Sequence, residues 1–146
     1  MIALLVGLGS FLFFLFFQAI GISGGDSGDL VTAAFEFGAP HPPGYPLYTL
    51  LTWAATRIPL FTPAWRAALV SSVPHAVTLV VVYLLTKRLS GSVLAGLFAV
   101  FMLLGNYIFF LYSVTPEVFA LFDLFVILLI YFLNSPYLFA FLFGLS

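Results

Sequence analysis

Apolar residues run along this chain in blocks as long as a bilayer is thick, and polar residues fall mostly between the blocks. A helix crossing about 30 Å of hydrocarbon needs roughly 20 apolar residues. The first block runs from about residue 2 to 22, and the second from 64 to 86, where the Lys87-Arg88 pair stops it. The third covers about 92–112 and the fourth about 116–133, joined by the short Ser113-Val114-Thr115-Pro116 connection. A fifth block, 136–146, would reach only about 16 Å as a helix, half a bilayer. The pattern predicts an all-α polytopic membrane helix bundle, a single transmembrane domain over 1–146 that is the N-terminal part of something longer. The first block is too long for a signal-peptide apolar region and has no basic residue before it. Thr62 reads as the N-cap of the second span, with Pro63 as its first helical residue and Pro74 as a kink within it.

Composition agrees with the pattern. Of 146 residues, 64% are hydrophobic and 6% charged, and the mean hydropathy is +1.24. A soluble domain covers itself with roughly a quarter charged residues. The net charge of -1 excludes the basic footprint of a nucleic-acid binder. With no cysteine there is no disulfide, thiolate metal site or cysteine nucleophile. Lysine and arginine should orient the bundle, but they tie: Lys87 and Arg88 stand against Arg57 and Arg66.

Most of the polar chemistry sits in the external loop 23–62, which carries Asp26, Asp29, Glu36, His41 and Arg57. Gly24, Gly25 and Gly28 permit a sharp exit from the first span. Asp26 can then cap a short interfacial helix over about 27–37, with Asp29 in its first turn. At helical spacing Asp26, Asp29, Thr32 and Glu36 fall within an arc of about 120°. The plain alternative is that this stripe is only the solvated face of a surface helix. Against it, three of the chain's five acids lie between Asp26 and Glu36, and paired carboxylates at an interface can serve as general base or bind a divalent cation. Prolines 40, 42, 43 and 46 then stiffen the backbone and fix His41 and Tyr45. Pro46 opens a second interfacial helix reaching Arg57, with Trp53, Tyr45 and Tyr48 suited to that depth.

Here the residues match a family. The run Gly25-Asp26-Ser27-Gly28-Asp29 through His41-Pro42-Pro43-Gly44-Tyr45-Pro46-Leu47-Tyr48 closely resembles the membrane glycosyltransferase family that includes the protein O-mannosyl-transferase transmembrane protein 260. Pro63-Ala64-Trp65-Arg66 and Pro116-Glu117-Val118-Phe119-Ala120-Leu121 look like that family's later motifs, in order. The resemblance implies a GT-C type enzyme that moves a sugar, mannose in the family's name, from a polyprenyl-phosphate donor to a hydroxyl acceptor on protein, glycan or lipid. It also implies an acid in the first external loop, a place Asp26 occupies with Asp29 behind it, and puts this loop on the lumenal or periplasmic side.

Transfer of that kind needs a base for the acceptor hydroxyl and cationic donors for the departing phosphate. Asp26 and Asp29 are the expected catalytic acids, holding a divalent cation if one takes part. Arg66 is the first choice for the phosphate, with Arg57 and His41 behind it and snorkelling anchorage as the plain alternative. Tyr45 and Glu117 complete the expected substrate contacts, though Glu117 also reads as an acid at a helix N-terminus. Asp123 and His75 lie deeper and read as interhelical hydrogen-bonding residues. A transporter would use such intramembrane groups instead, and a non-catalytic membrane scaffold would need neither set. Acids clustered outside the spans favour the interfacial enzyme.

Overall fold

A computed structural model describes residues 1–145. It contains eight α-helices: α1 (Ile2–Phe17), α2 (Ser27–Glu36), α3 (Pro46–Thr56), α4 (Pro63–Ser90), α5 (Val93–Leu104), α6 (Tyr107–Val114), α7 (Phe119–Tyr131) and α8 (Pro136–Leu145). No strand occurs among the described residues, so the all-α expectation holds. Only α4, with 28 residues, is by itself long and apolar enough to cross a membrane. α5 and α6 reach that length together but meet at 73°.

That bend divides the third apolar block into two helices. Gly105 closes α5, and Asn106 starts α6 by accepting a hydrogen bond from Phe109 N–H on its Oδ1. A new cap in mid-block ends one helix and aims the next elsewhere. α1 also stops at Phe17, short of residue 22, because Gln18 turns extended. Ser113 and Val114 belong to α6, and the connection to α7 is residues 115–118. The fifth apolar block forms α8, its final residue 146 lying outside the described ones.

α4 is the hub, packed against α1, α3, α5, α6 and α7. Its buried stripe of Ala64, Ala67, Ala68, Ser71, Ser72, His75, Leu79 and Tyr83 recurs at three- and four-residue spacing, while Val73 and Val77 face out. Small residues along such a stripe let neighbouring backbones come close. Gly96 on α5 shows how close: a Cβ there would lie 2.8 Å from the Tyr83 ring and 3.0 Å from its carbonyl oxygen. Thr62 does cap α4, its Oγ1 accepting from Trp65 N–H, and the helix continues through Pro74.

The two short helices of loop 23–62 form as the sequence predicts. Leu30, Val31, Ala33 and Ala34 of α2 turn inward, while Asp26, Asp29, Thr32 and Glu36 stay exposed. Leu30 packs with Tyr48 of α3 and Val70 of α4 in a small core of its own. Three hydrogen bonds then fasten the surroundings to the N-terminal end of α4. Gln18 Nε2 donates to the Trp65 carbonyl, Ser72 Oγ donates to Gln18 Oε1, and Thr62 Oγ1 donates to the Ile20 carbonyl. Ala19 N–H also donates to the Val114 carbonyl, so loop 23–62 and the connection 115–118 lie at one end of the bundle. Lys87 and Arg88 lie in the last turn of α4, at its other end.

Candidate active site

Asp26 sits at the start of α2 but does not cap it. Its backbone is already helical, at φ -82° and ψ -5°, so its side chain does not reach back to the first turn. Its carbonyl accepts from Leu30 N–H, while the carboxylate is free to face His41, with Nε2 and Oδ2 3.5 Å apart. The turn before it is secured by Ser27, whose buried Oγ accepts from Ser23 N–H.

Asp29 and His41 form the tightest unit. One oxygen, Asp29 Oδ2, accepts from the His41 backbone N–H and from its ring Nδ1, both at 2.8 Å. These two bonds hold the Asp29 carboxyl below its ordinary range, the backbone N–H contributing most. The same bond pushes the His41 ring up, with further help from the charges of Asp26, Asp29 and Glu117. With Nδ1 carrying the proton that Asp29 accepts, Nε2 is the nitrogen presented to Asp26 and the cleft. Tyr45 packs against this ring edge-on at 5.6 Å. Its backbone is left-handed, φ 39°, directly after Gly44 at φ 90°, a conformation that a bulky residue adopts only when its surroundings enforce it.

Glu117 comes from the opposite side. It precedes α7 rather than opening it, which corrects the reading of it as a helix-terminus acid. Ser71 on α4 clamps it from both directions, Oγ donating to the Glu117 carbonyl and accepting from its N–H. The carboxyl faces Gly25, whose positive φ of 74° and missing side chain leave that side open. Burial raises the Glu117 carboxyl above its ordinary range, and Asp26 raises it further. Asp26, Asp29, His41 and Glu117, from three stretches of chain, thus lie together at one end of the bundle.

The arginines do not join them. Arg66 gives its Nε–H to the Leu60 carbonyl and its terminal nitrogens to the carbonyls of Thr56 and Phe61. Its fork closes the turn between α3 and α4. Arg57 stacks over the Trp53 ring at 5.0 Å, and Phe37 packs on the same ring. Among the described residues neither guanidinium contacts the acids. Among the described residues no group of three His, Asp or Glu side chains is arranged to hold a metal ion.

The deeper pair behaves as the sequence predicts. His75, fully buried and stacked on Phe109, reaches Ser113 Oγ at 2.7 Å and Asp123 Oδ2 at 3.2 Å, linking α4, α6 and α7. Sequence reasoning passed over Ser71, Ser72 and Gln18. Their signal was polarity inside apolar blocks, where such groups pair with another helix. It also passed over the hydroxyl of Tyr48, which is buried beside Thr52 and Ser71 without an aligned hydrogen bond.

Comparison with known proteins agrees with the motifs. Residues 26–138 match the family described as the protein O-mannosyl-transferase TMEM260 N-terminal domain. Protein O-mannosyl-transferase TMEM260 of Mus musculus is 41% identical over 109 residues, 74% of this chain and 16% of that protein. Its Dictyostelium discoideum namesake is 31% identical over 117 residues, 78% of this chain and 14% of that protein. The chain thus spans about a sixth of the length of these relatives. No solved structure matches. Every residue of the acid cleft but Gly25 falls inside the matched stretch, and the chain belongs to the TMEM260 family through its N-terminal domain.

Proposed function

We propose that this chain forms the donor end of a multi-pass membrane O-mannosyltransferase of GT-C type, with its cleft on the lumenal or periplasmic side. The spans would be α1, α4, the bent pair α5–α6, and α7, with α2 and α3 lying at the interface. The donor would be a mannosyl polyprenyl phosphate and the acceptor a hydroxyl. The observation that carries this reading is the freedom of Asp26: a carboxylate beside a cation-forming histidine, released from capping, at the mouth of a cleft in a family named for sugar transfer.

In this reading Asp26 takes the proton from the acceptor hydroxyl as its oxygen attacks the anomeric carbon. The bond from that carbon to the phosphate oxygen breaks, and its electron pair leaves with the phosphate. Asp29 does not act as a second base; it positions His41, fixing the ring and favouring its charged form. His41 then faces the departing phosphate as the cation nearest the acids, a role the sequence had given first to Arg66. A donor already fixed in place needs no reorganisation as the phosphate's charge develops.

Asp26→Asn tests it. The substitution keeps the size and removes the base, so turnover should fall by roughly 10²–10⁴. Transfer from a polyprenyl-phosphate sugar by the full-length protein is measured beside a thermal melt in detergent. Near-normal turnover with an unchanged melt would remove Asp26 from the chemistry.

A further inference from the structure

We propose that Glu117 is the residue that reads the donor's sugar, bonding a pair of ring hydroxyls beside Asp26 and His41. This deepens the transferase reading and rests on it. Glu117 is 7% exposed, yet among the described residues its carboxyl makes no hydrogen bond or ion pair. A carboxyl that no neighbouring protein group satisfies is free to bond a ligand. Its backbone is gripped on both sides by Ser71, so the side chain projects from a fixed point. The Tyr48 hydroxyl is buried beside Thr52 and Ser71 without an aligned hydrogen bond. Tyr48, Tyr45 and Val118, the residue after Glu117, line one cavity of about 430 Å³ between α3 and α7. A mostly aromatic and aliphatic cavity next to Val118, with the unpaired Tyr48 on its wall and Glu117 one residue away, suits a ligand with hydroxyls on an apolar frame, which describes a hexose.

The protonation chemistry selects among ligands. A metal ion or an ammonium group needs the carboxylate ionised, whereas burial and the neighbouring Asp26 shift it toward its neutral form against the opposing charge of His41. A neutral carboxyl offers one donor and one free acceptor, the complement of two neighbouring hydroxyls. Such a contact depends on the orientation of each hydroxyl, so it discriminates between epimers.

The experiment uses the full-length protein in detergent, with polyprenyl phosphates carrying mannose or its C2 epimer glucose. Glu117→Leu should raise the KM for the mannosyl donor about tenfold and shrink the preference between sugars, while binding of sugar-free polyprenyl phosphate stays the same. Glu117→Asp draws the carboxyl back by one methylene and should do likewise, which covers a Leu variant that does not fold. Glu117→Gln, neutral and able to donate and accept, should stay within about threefold of wild type. A tenfold loss in the Gln variant overturns the neutral-carboxyl contact. Unaltered KM and preference in the Leu and Asp variants overturn the role of Glu117 and leave the transferase reading standing. Wild-type protein that transfers neither sugar overturns that reading, and this inference with it.

Discussion

At the scale of single residues, the site is governed by which oxygen each donor finds. Asp29 spends one oxygen on two N–H groups of His41, and this fixes both partners in charge as well as place. The His41 ring is held above its ordinary 6.5, so its contribution to stability is complete below 6.5 and is lost as pH rises through the folded value. The Asp29 carboxyl lies below its ordinary 3.8, so its contribution is present above 3.8 and is lost as pH falls through the folded value. The pair therefore holds best between those limits. The chain has two histidines, so a histidine-labelled sample resolves His41 by NMR. Its titration should lie above 6.5 in the wild type and move back toward 6.5 in Asp29→Asn; an unmoved midpoint would dissolve the pair. The sequence marked all of these residues but misjudged two roles. Asp26 was read as a cap from its place before a helix, whereas its own backbone had already turned helical. The backbone conformation of one residue is not legible in residue types alone.

At the scale of elements, length and caps were legible because they obey local rules. Thr62-Pro63 starts α4, and Pro46 starts α3, as propensity and steric fit require. The break between α5 and α6 had a local signal as well, Gly105-Asn106, a pair that favours turns, but the apolar run on both sides outweighed it. Packing was less legible, because it depends on partners distant in sequence. Gly96 reads as an ordinary glycine in an apolar helix until Tyr83 is seen against it. Gly96→Val would press two methyl groups into that ring and carbonyl, and overpacking of this kind costs about 1–3 kcal/mol. The expected outcome is a clear fall in melting temperature, and the same substitution at Gly9, where the space is open, should cost much less.

At the scale of the whole molecule, the polar groups sort by where they lie along α4. The His75 bridge joins helices in its middle, and the tethers from Gln18, Thr62, Arg66, Ser71 and Ser72 gather toward its N-terminal end. The sequence pointed to loop 23–62 and could not see that α4 holds it in place. Arg66 illustrates the difference. A lone cation near a span end reads as a phosphate ligand, yet its three carbonyl partners, one at the end of α3 and two in the following loop, are oxygens that no spacing rule reveals. Arg66→Lys should lower the melting temperature by a few degrees, since an ammonium cannot reproduce the fork, and leave donor KM unchanged. A raised KM with an unchanged melt would return Arg66 to the phosphate.

The length of α4 carries a consequence of its own. Its 28 residues make a rod of about 42 Å at 1.5 Å each, against about 30 Å of hydrocarbon. With α4 as a span, as proposed above, some 12 Å would stand clear of the lipid or be absorbed by tilt. The tethered end is one of the two places where that excess can emerge. The acid cleft hangs from it, so its height above the acyl chains is set by how steeply this one helix stands. A thicker bilayer would draw the cleft toward the headgroups, and a thinner one would lift it away, with no side chain in the site having moved relative to another.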